Sequence, residues 1–134
     1  MKLQLRGYIF SRPFLEERVP QHVQNIVIKN FCEQNKFNYL LSATEYAMKN
    51  SSYMLEKILY DLKKVDGIVM YSLYQLPDNQ NYRKKILLKI IQLKKKLFFA
   101  CEKFSISNQN DIKKIENLWL VKKTLPYCYK FKEM

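Results

Sequence analysis

Leu3-Gln4-Leu5-Arg6-Gly7-Tyr8-Ile9-Phe10 is an apolar, β-rich run that stops at Ser11-Arg12-Pro13 and is followed, after Pro20, by a helix-period segment over residues 21–35. An extended run, a polar loop and a helix in that order are the first half of a βαβ unit. Three more runs of the same kind, residues 37–41, 67–71 and 97–101, follow with centres about 30 residues apart, the length of one such unit. Helix-period segments separate them. Residues 21–35 stack Val23, Ile26, Val27 and Phe31 on one stripe, and residues 52–64 stack Met54, Leu55, Ile58, Leu59 and Leu62. Residues 82–95 turn Ile86, Leu87, Ile90, Ile91 and Leu93 inward and Lys84, Lys85, Lys89 and Lys94 outward. A last helix over 110–124 buries Ile112, Ile115, Leu118 and Trp119 and is expected to stop before Pro126, whose ring and missing N–H disfavour continuation.

Strand and helix alternating four times specify an α/β protein with an open, mainly parallel four-stranded sheet and helices on both faces, a three-layer sandwich. The strands are continuous apolar runs rather than alternations, as expected of strands covered on both sides. Residues 1–126 read as one domain and 127–134 as a C-terminal tail without period.

The 134 residues carry 24 Lys+Arg against 12 Asp+Glu, a formal net charge of +12, of which residues 68–134 supply +9. Twenty of the cations are lysines, most of them on helix-patterned segments, which is the usual make-up of a solvated face as well as of a polyanion-binding one. The composition is that of a globular protein: 48% hydrophobic, 2 Gly and 4 Pro exclude collagen-like and Pro-rich disordered classes. Apolar runs such as Ile68-Val69-Met70-Tyr71 fall far short of the roughly 20 residues of a membrane span. No apolar leader pattern opens the chain, and Cys32, Cys101 and Cys128 with the lone His22 match no zinc spacing, so a cytoplasmic protein without metal or cofactor is the expectation.

In an open α/β sheet ligands sit beyond the carboxyl ends of the strands. That edge collects Ser11, Arg12 and Arg18 after the first strand, Ser42 and Glu45 after the second, Ser72 and Tyr74 after the third, and Glu102 after the fourth. Arg12 and Arg18 are half of the chain's arginines, and the planar fork of Arg suits phosphate or carboxylate in a way Lys does not. Pairing of Arg12 with Glu16 or Glu45 to fix the loop is the alternative. Pro20 begins a helix whose first turn aims N–H groups at the same edge, with Gln21 and Gln24 beside them. Ser11 is the candidate nucleophile and Glu45 the candidate acid or base; Ser42 and Ser72 serve equally well as backbone-satisfying loop residues. This edge supports a catalytic and a non-catalytic reading alike.

The segment Ser11-Arg12-Pro13-Phe14 through Arg18-Val19-Pro20-Gln21-His22-Val23-Gln24-Asn25, with Leu41-Ser42-Ala43-Thr44-Glu45-Tyr46 and Tyr71-Ser72-Leu73-Tyr74-Gln75-Leu76-Pro77, resembles the sporadic carbohydrate cluster protein family, small proteins encoded in bacterial gene clusters for surface polysaccharide. This resemblance implies a cytoplasmic role in carbohydrate biosynthesis, with a phosphorylated or nucleotide-linked sugar bound at the strand edge and docking to glycan-biosynthesis enzymes or homodimerisation as further expectations. On that reading Arg12 and Arg18 take the anion, and Gln21, Gln24, Ser42, Ser72, Tyr74 and Glu102 line the ligand.

Tyr8-Ile9-Phe10-Ser11 also looks like the strand end that carries the nucleophilic serine of the serine recombinase (resolvase) catalytic domain, and Asp66-Gly67-Ile68-Val69-Met70-Tyr71-Ser72-Leu73 like the strand leading into that family's Asp-Arg-Leu motif. Tyr74-Gln75-Leu76 stands where Asp-Arg-Leu would be, and no arginine follows closely. This second resemblance implies a resolvase-like or flavodoxin-like sandwich. Its functional counterpart is a recombinase-derived nucleic-acid-binding or regulatory module without recombinase activity.

Overall fold

The computed structural model describes residues 2–14, 18–48 and 51–133, with side chains as far as Lys122. Five strands, β1 (Gln4–Phe10), β2 (Asn38–Glu45), β3 (Gly67–Met70), β4 (Lys96–Phe99) and β5 (Phe104–Ile106), form one sheet in the order β2-β1-β3-β4-β5. The first four run parallel and β5 returns antiparallel to β4. Four α-helices accompany them: α1 (Gln21–Gln34), α2 (Tyr53–Tyr60), α3 (Gln80–Gln92) and α4 (Gln109–Glu133).

Period-two alternation divides the core between the faces. Tyr8 and Phe10 of β1, with Ile68 and Met70 of β3 and Leu97 and Phe99 of β4, pack under α2, α3 and α4. Leu5 and Ile9, with Val69, meet Ile28 and Cys32 of α1 on the opposite face. All four residues of β3 are buried, which is why that strand reads as an unbroken apolar run. Fully burying aliphatic side chains of this kind contributes roughly 1.5–3 kcal/mol each. Gly67 is required by close approach: a Cβ there would collide with the Lys96 carbonyl across the β3–β4 pair.

The α/β sandwich stands as expected, with three differences from the sequence reading. A fifth strand closes one edge. The turn before it places Lys103 in the left-handed region, φ 51°, a position normally signalled by Gly or Asn. The second strand extends through Glu45, so Ser42, Ala43 and Thr44 belong to the sheet rather than to a loop. Finally, α4 continues through Pro126 to Glu133, so residues 127–133 are helical; a proline inside a helix forfeits one backbone hydrogen bond without necessarily ending the element.

From β1 the chain crosses to β2 on one side and then to β3 on the other, so the connection reverses between β1 and β3. A crevice opens at such a switch point beyond the strands' carboxyl ends. Its walls are the segments following β1 and β3.

Candidate functional site

Both segments are tied down by buried polar side chains. Gln24 of α1 is fully buried; its Oε1 accepts the Phe10 N–H at 3.0 Å while its Nε2 donates to the Phe10 and Val19 carbonyls at 2.9 Å each. The same Oε1 accepts from Gln75 Nε2 at 2.7 Å, and Gln75 Oε1 accepts the Ser72 N–H at 3.4 Å. Two glutamines therefore bridge the end of β1 to the loop after β3.

Glu45, at the end of β2, is also fully buried. Its carboxylate accepts from the Tyr8 hydroxyl (2.9 Å), the Ser51 hydroxyl (2.8 Å) and the N–H groups of Met54 (3.1 Å) and Leu55 (3.2 Å). The last two are first-turn donors of α2, which a carboxylate satisfies well. Burial pushes the Glu45 carboxyl upward, but the bonds from Met54, Ser51, Tyr8 and Leu55 prevail and hold it below the ordinary carboxylate value. Burial and the neighbouring Glu45 charge push the Tyr8 phenol far up, so the pair is a charged acceptor and a neutral donor.

Ser11 lies directly beyond β1, and its hydroxyl donates to the Glu45 carbonyl at 2.5 Å. Arg12 stacks over the Phe10 ring, 4.1 Å from its centroid, and its Nη1 donates to the carbonyls of Tyr46 (3.2 Å), Met48 (3.3 Å) and Ser51 (2.9 Å). Among the described residues Arg12 thus fixes the loop through carbonyls rather than through Glu45, and Glu16 lies outside the described residues. Ser72 donates to Glu102 at 2.9 Å, and Glu102 also accepts the Leu73 N–H at 2.9 Å. Tyr74 packs edge-on to Trp119, with centroids 5.4 Å apart.

A cavity of about 800 Å³ occupies the crevice, lined by Arg12, Phe14, Tyr74, Asn79, Tyr82 and Lys122 among others. Its size falls in the range typical of ligand pockets, roughly 300–1,000 Å³. Of the residues selected from sequence, Arg12 and Tyr74 line it. Ser11, Glu45, Ser72 and Glu102 belong to the same edge but are engaged in the bonds described above. Gln24 is fully buried and bonded to Phe10, Val19 and Gln75. Ser42 lies within β2 on the α1 face, sharing the Asn25 Oδ1 with the Tyr39 hydroxyl, because β2 extends past it. Gln21 and Arg18 are exposed at the start of α1. Among the described residues no group of three His, Cys, Asp or Glu could hold a metal ion.

Sequence reasoning missed Gln75, Tyr82, Lys122 and the Arg83–Glu116 pair. Arg83, 2% exposed, makes two 2.7 Å bonds to Glu116, donates to the Pro77 and Asp78 carbonyls at 3.0 and 3.1 Å, and lies 4.4 Å from the Trp119 ring centroid. As the one arginine in a lysine-rich half, Arg83 was the available signal.

The α/β sandwich with sheet order β2-β1-β3-β4-β5 is similar in fold to solved recombinase domains. A resolvase family site-specific recombinase from Streptococcus pneumoniae superposes with a TM-score of 0.62 at 12% identity, over 96% of this chain and 95% of that one. The N-terminal catalytic domain of TP901-1 integrase superposes with a TM-score of 0.57 at 11% identity, over 96% of this chain and 99% of that one. No protein-family model and no curated protein matches the sequence. The resemblance to the sporadic carbohydrate cluster family therefore finds no support, and neither does a sugar ligand. No helix among the described residues is long and apolar enough to cross a membrane.

Proposed function

We propose that this chain is a nucleic-acid-binding or regulatory module built on the resolvase fold, without strand-cleavage chemistry. The observation that carries this reading is the engagement of Ser11. Its hydroxyl donates to a backbone carbonyl, and the carboxylate of Glu45 is filled by five protein donors, including its neighbour's Tyr46 N–H at 3.2 Å. Phosphodiester cleavage through serine needs a proton acceptor and cations preorganised around the developing charge. The arginines are deployed elsewhere: Arg12 holds three carbonyls through Nη1, Arg83 is buried on Glu116, Arg18 is exposed, and Arg6 lies mid-strand in β1.

The net charge of +12 favours a polyanionic partner, and the two structural relatives are described as a recombinase and an integrase domain. Binding of fluorescein-labelled DNA, followed by anisotropy from low to physiological salt, tests the reading. Affinity should fall steeply with salt, because phosphate contacts release counterions. Supercoiled plasmid should stay intact, with no protein–DNA adduct after denaturation. Salt-insensitive or absent binding overturns the binding half, and a Ser11-dependent adduct overturns the non-catalytic half.

A further inference from the structure

Helix α2 buries Leu55, Ile58 and Leu59, so its other face must look outward. That face carries Tyr53, Lys57 and Tyr60 at i, i+4 and i+7, one above another along the helix. The rings are unusually open: Tyr53 is 51% exposed and Tyr60 86%. Tyr46, 53% exposed at the end of β2, extends the row, its ring 5.7 Å from that of Tyr53 and tilted 38° to it. The Lys57 ammonium sits 5.4 Å from the Tyr53 ring centroid.

Lys57 also borders a groove of about 380 Å³ on the flank of α2, together with Arg6, Met54, Ile58, Asp61 and Lys64. Three cations face one carboxylate there, and Asp61 is 3.7 Å from Lys64. Exposed aromatic rings thus run alongside a basic groove, with Lys57 common to both. Duplex DNA hides the faces of its bases, so open rings gain little from it. A single strand offers both parts of the match: its bases stack on aromatic faces while its phosphates follow a basic track.

We infer that the outer face of α2 is a binding surface for single-stranded nucleic acid, with bases on Tyr46, Tyr53 and Tyr60 and the backbone along Arg6, Lys57 and Lys64. The inference rests on the nucleic-acid reading above and specifies the strandedness and the surface. Stacking of this kind tolerates any base, so the surface binds without strong sequence preference.

The test is anisotropy with two fluorescein-labelled probes, an oligothymidylate of about 16 nucleotides and a mixed-sequence duplex of equal length. The single strand should bind more tightly. The Tyr46→Ala, Tyr53→Ala double variant should lose at least about tenfold in affinity for it, since each stacked ring is worth about fivefold or more, while Tyr46→Phe, Tyr53→Phe keeps wild-type binding. Lys57→Gln should flatten the slope of log affinity against log salt by about 0.7, the value of one single-strand phosphate contact. Equal binding of both probes, or an Ala double variant that binds as wild type does, overturns this surface while leaving nucleic-acid binding intact. Failure of both probes to bind with salt dependence overturns the parent reading, and the rings then belong to a protein interface.

Discussion

The walls of the crevice and the outer face of α2 treat their polar and aromatic groups in opposite ways. Around the crevice, Gln24, Gln75, Glu45, Ser72, Glu102 and Arg83 each spend their donors and acceptors on the protein itself. Along α2, Tyr46, Tyr53 and Tyr60 leave half or more of their surface to solvent. Polar residues at a sheet's carboxyl edge therefore do not by themselves mark a ligand. In this chain they bond to the backbone and side chains around them, whereas the rings on α2 stand open beside Lys57.

The contrast can be broken most severely at Arg83. Replacing it with Met strands the partly buried Glu116 carboxylate and frees the Pro77 and Asp78 carbonyls, a loss of about 3–5 kcal/mol that urea unfolding would register. Gln24→Leu comes next, at about 2–4 kcal/mol, because the Phe10 N–H and the Gln75 amide both lose their buried acceptor. An unfolding midpoint within error of wild type for Gln24→Leu would mean that these bonds do not hold the two loops. Glu45→Gln should cost less, about 1–2 kcal/mol, since an amide oxygen still accepts from α2. Its signature is pH dependence. Because the folded carboxyl lies below its ordinary value of 4.5, the charge contributes its full stability above that pH and loses it as pH falls from there through the folded value. Wild-type stability should therefore decline on acidification below about pH 4.5, and the Gln variant should show a shallower decline.

Much of the fold was legible because burial on both sheet faces leaves a plain trace. Residues Gly67–Met70 are apolar without interruption, and Leu55, Ile58 and Leu59 repeat at helical spacing. Strand order was not legible, since parallel pairing is set by crossovers that leave no local pattern. The fifth strand escaped because Phe104–Ile106 is only three residues long and its turn uses Lys103 where Gly or Asn would have announced it. At the site, the rule of the carboxyl edge pointed to the loops that border the crevice, where Arg12 and Tyr74 line the cavity. It could not tell an outward-facing side chain from an inward one: Gln21 and Gln24 share a helix turn, yet the first is exposed and the second completely buried. Residue type misled in the same way for tyrosine, where Tyr8 is a buried donor to Glu45 and Tyr60 stands almost entirely in water.

The smallest effects sharpen the comparison from the other side. Ser11→Ala removes one hydroxyl bond to a carbonyl that still accepts the Ser11 N–H, so it should cost about 0.5–1 kcal/mol. The Tyr46→Ala, Tyr53→Ala pair should cost still less, within about 0.5 kcal/mol, as expected of exposed positions that fill no core. Neither ring belongs to either apolar cluster, and the α2 residues that do, Leu55, Ile58 and Leu59, are untouched by the change. A midpoint unchanged within that margin means the rings are not kept for folding, so any loss of nucleic-acid affinity in the same variant reports the surface itself. A drop as large as that of Gln24→Leu would instead make the aromatic row part of the scaffold and erase the distinction between the two regions.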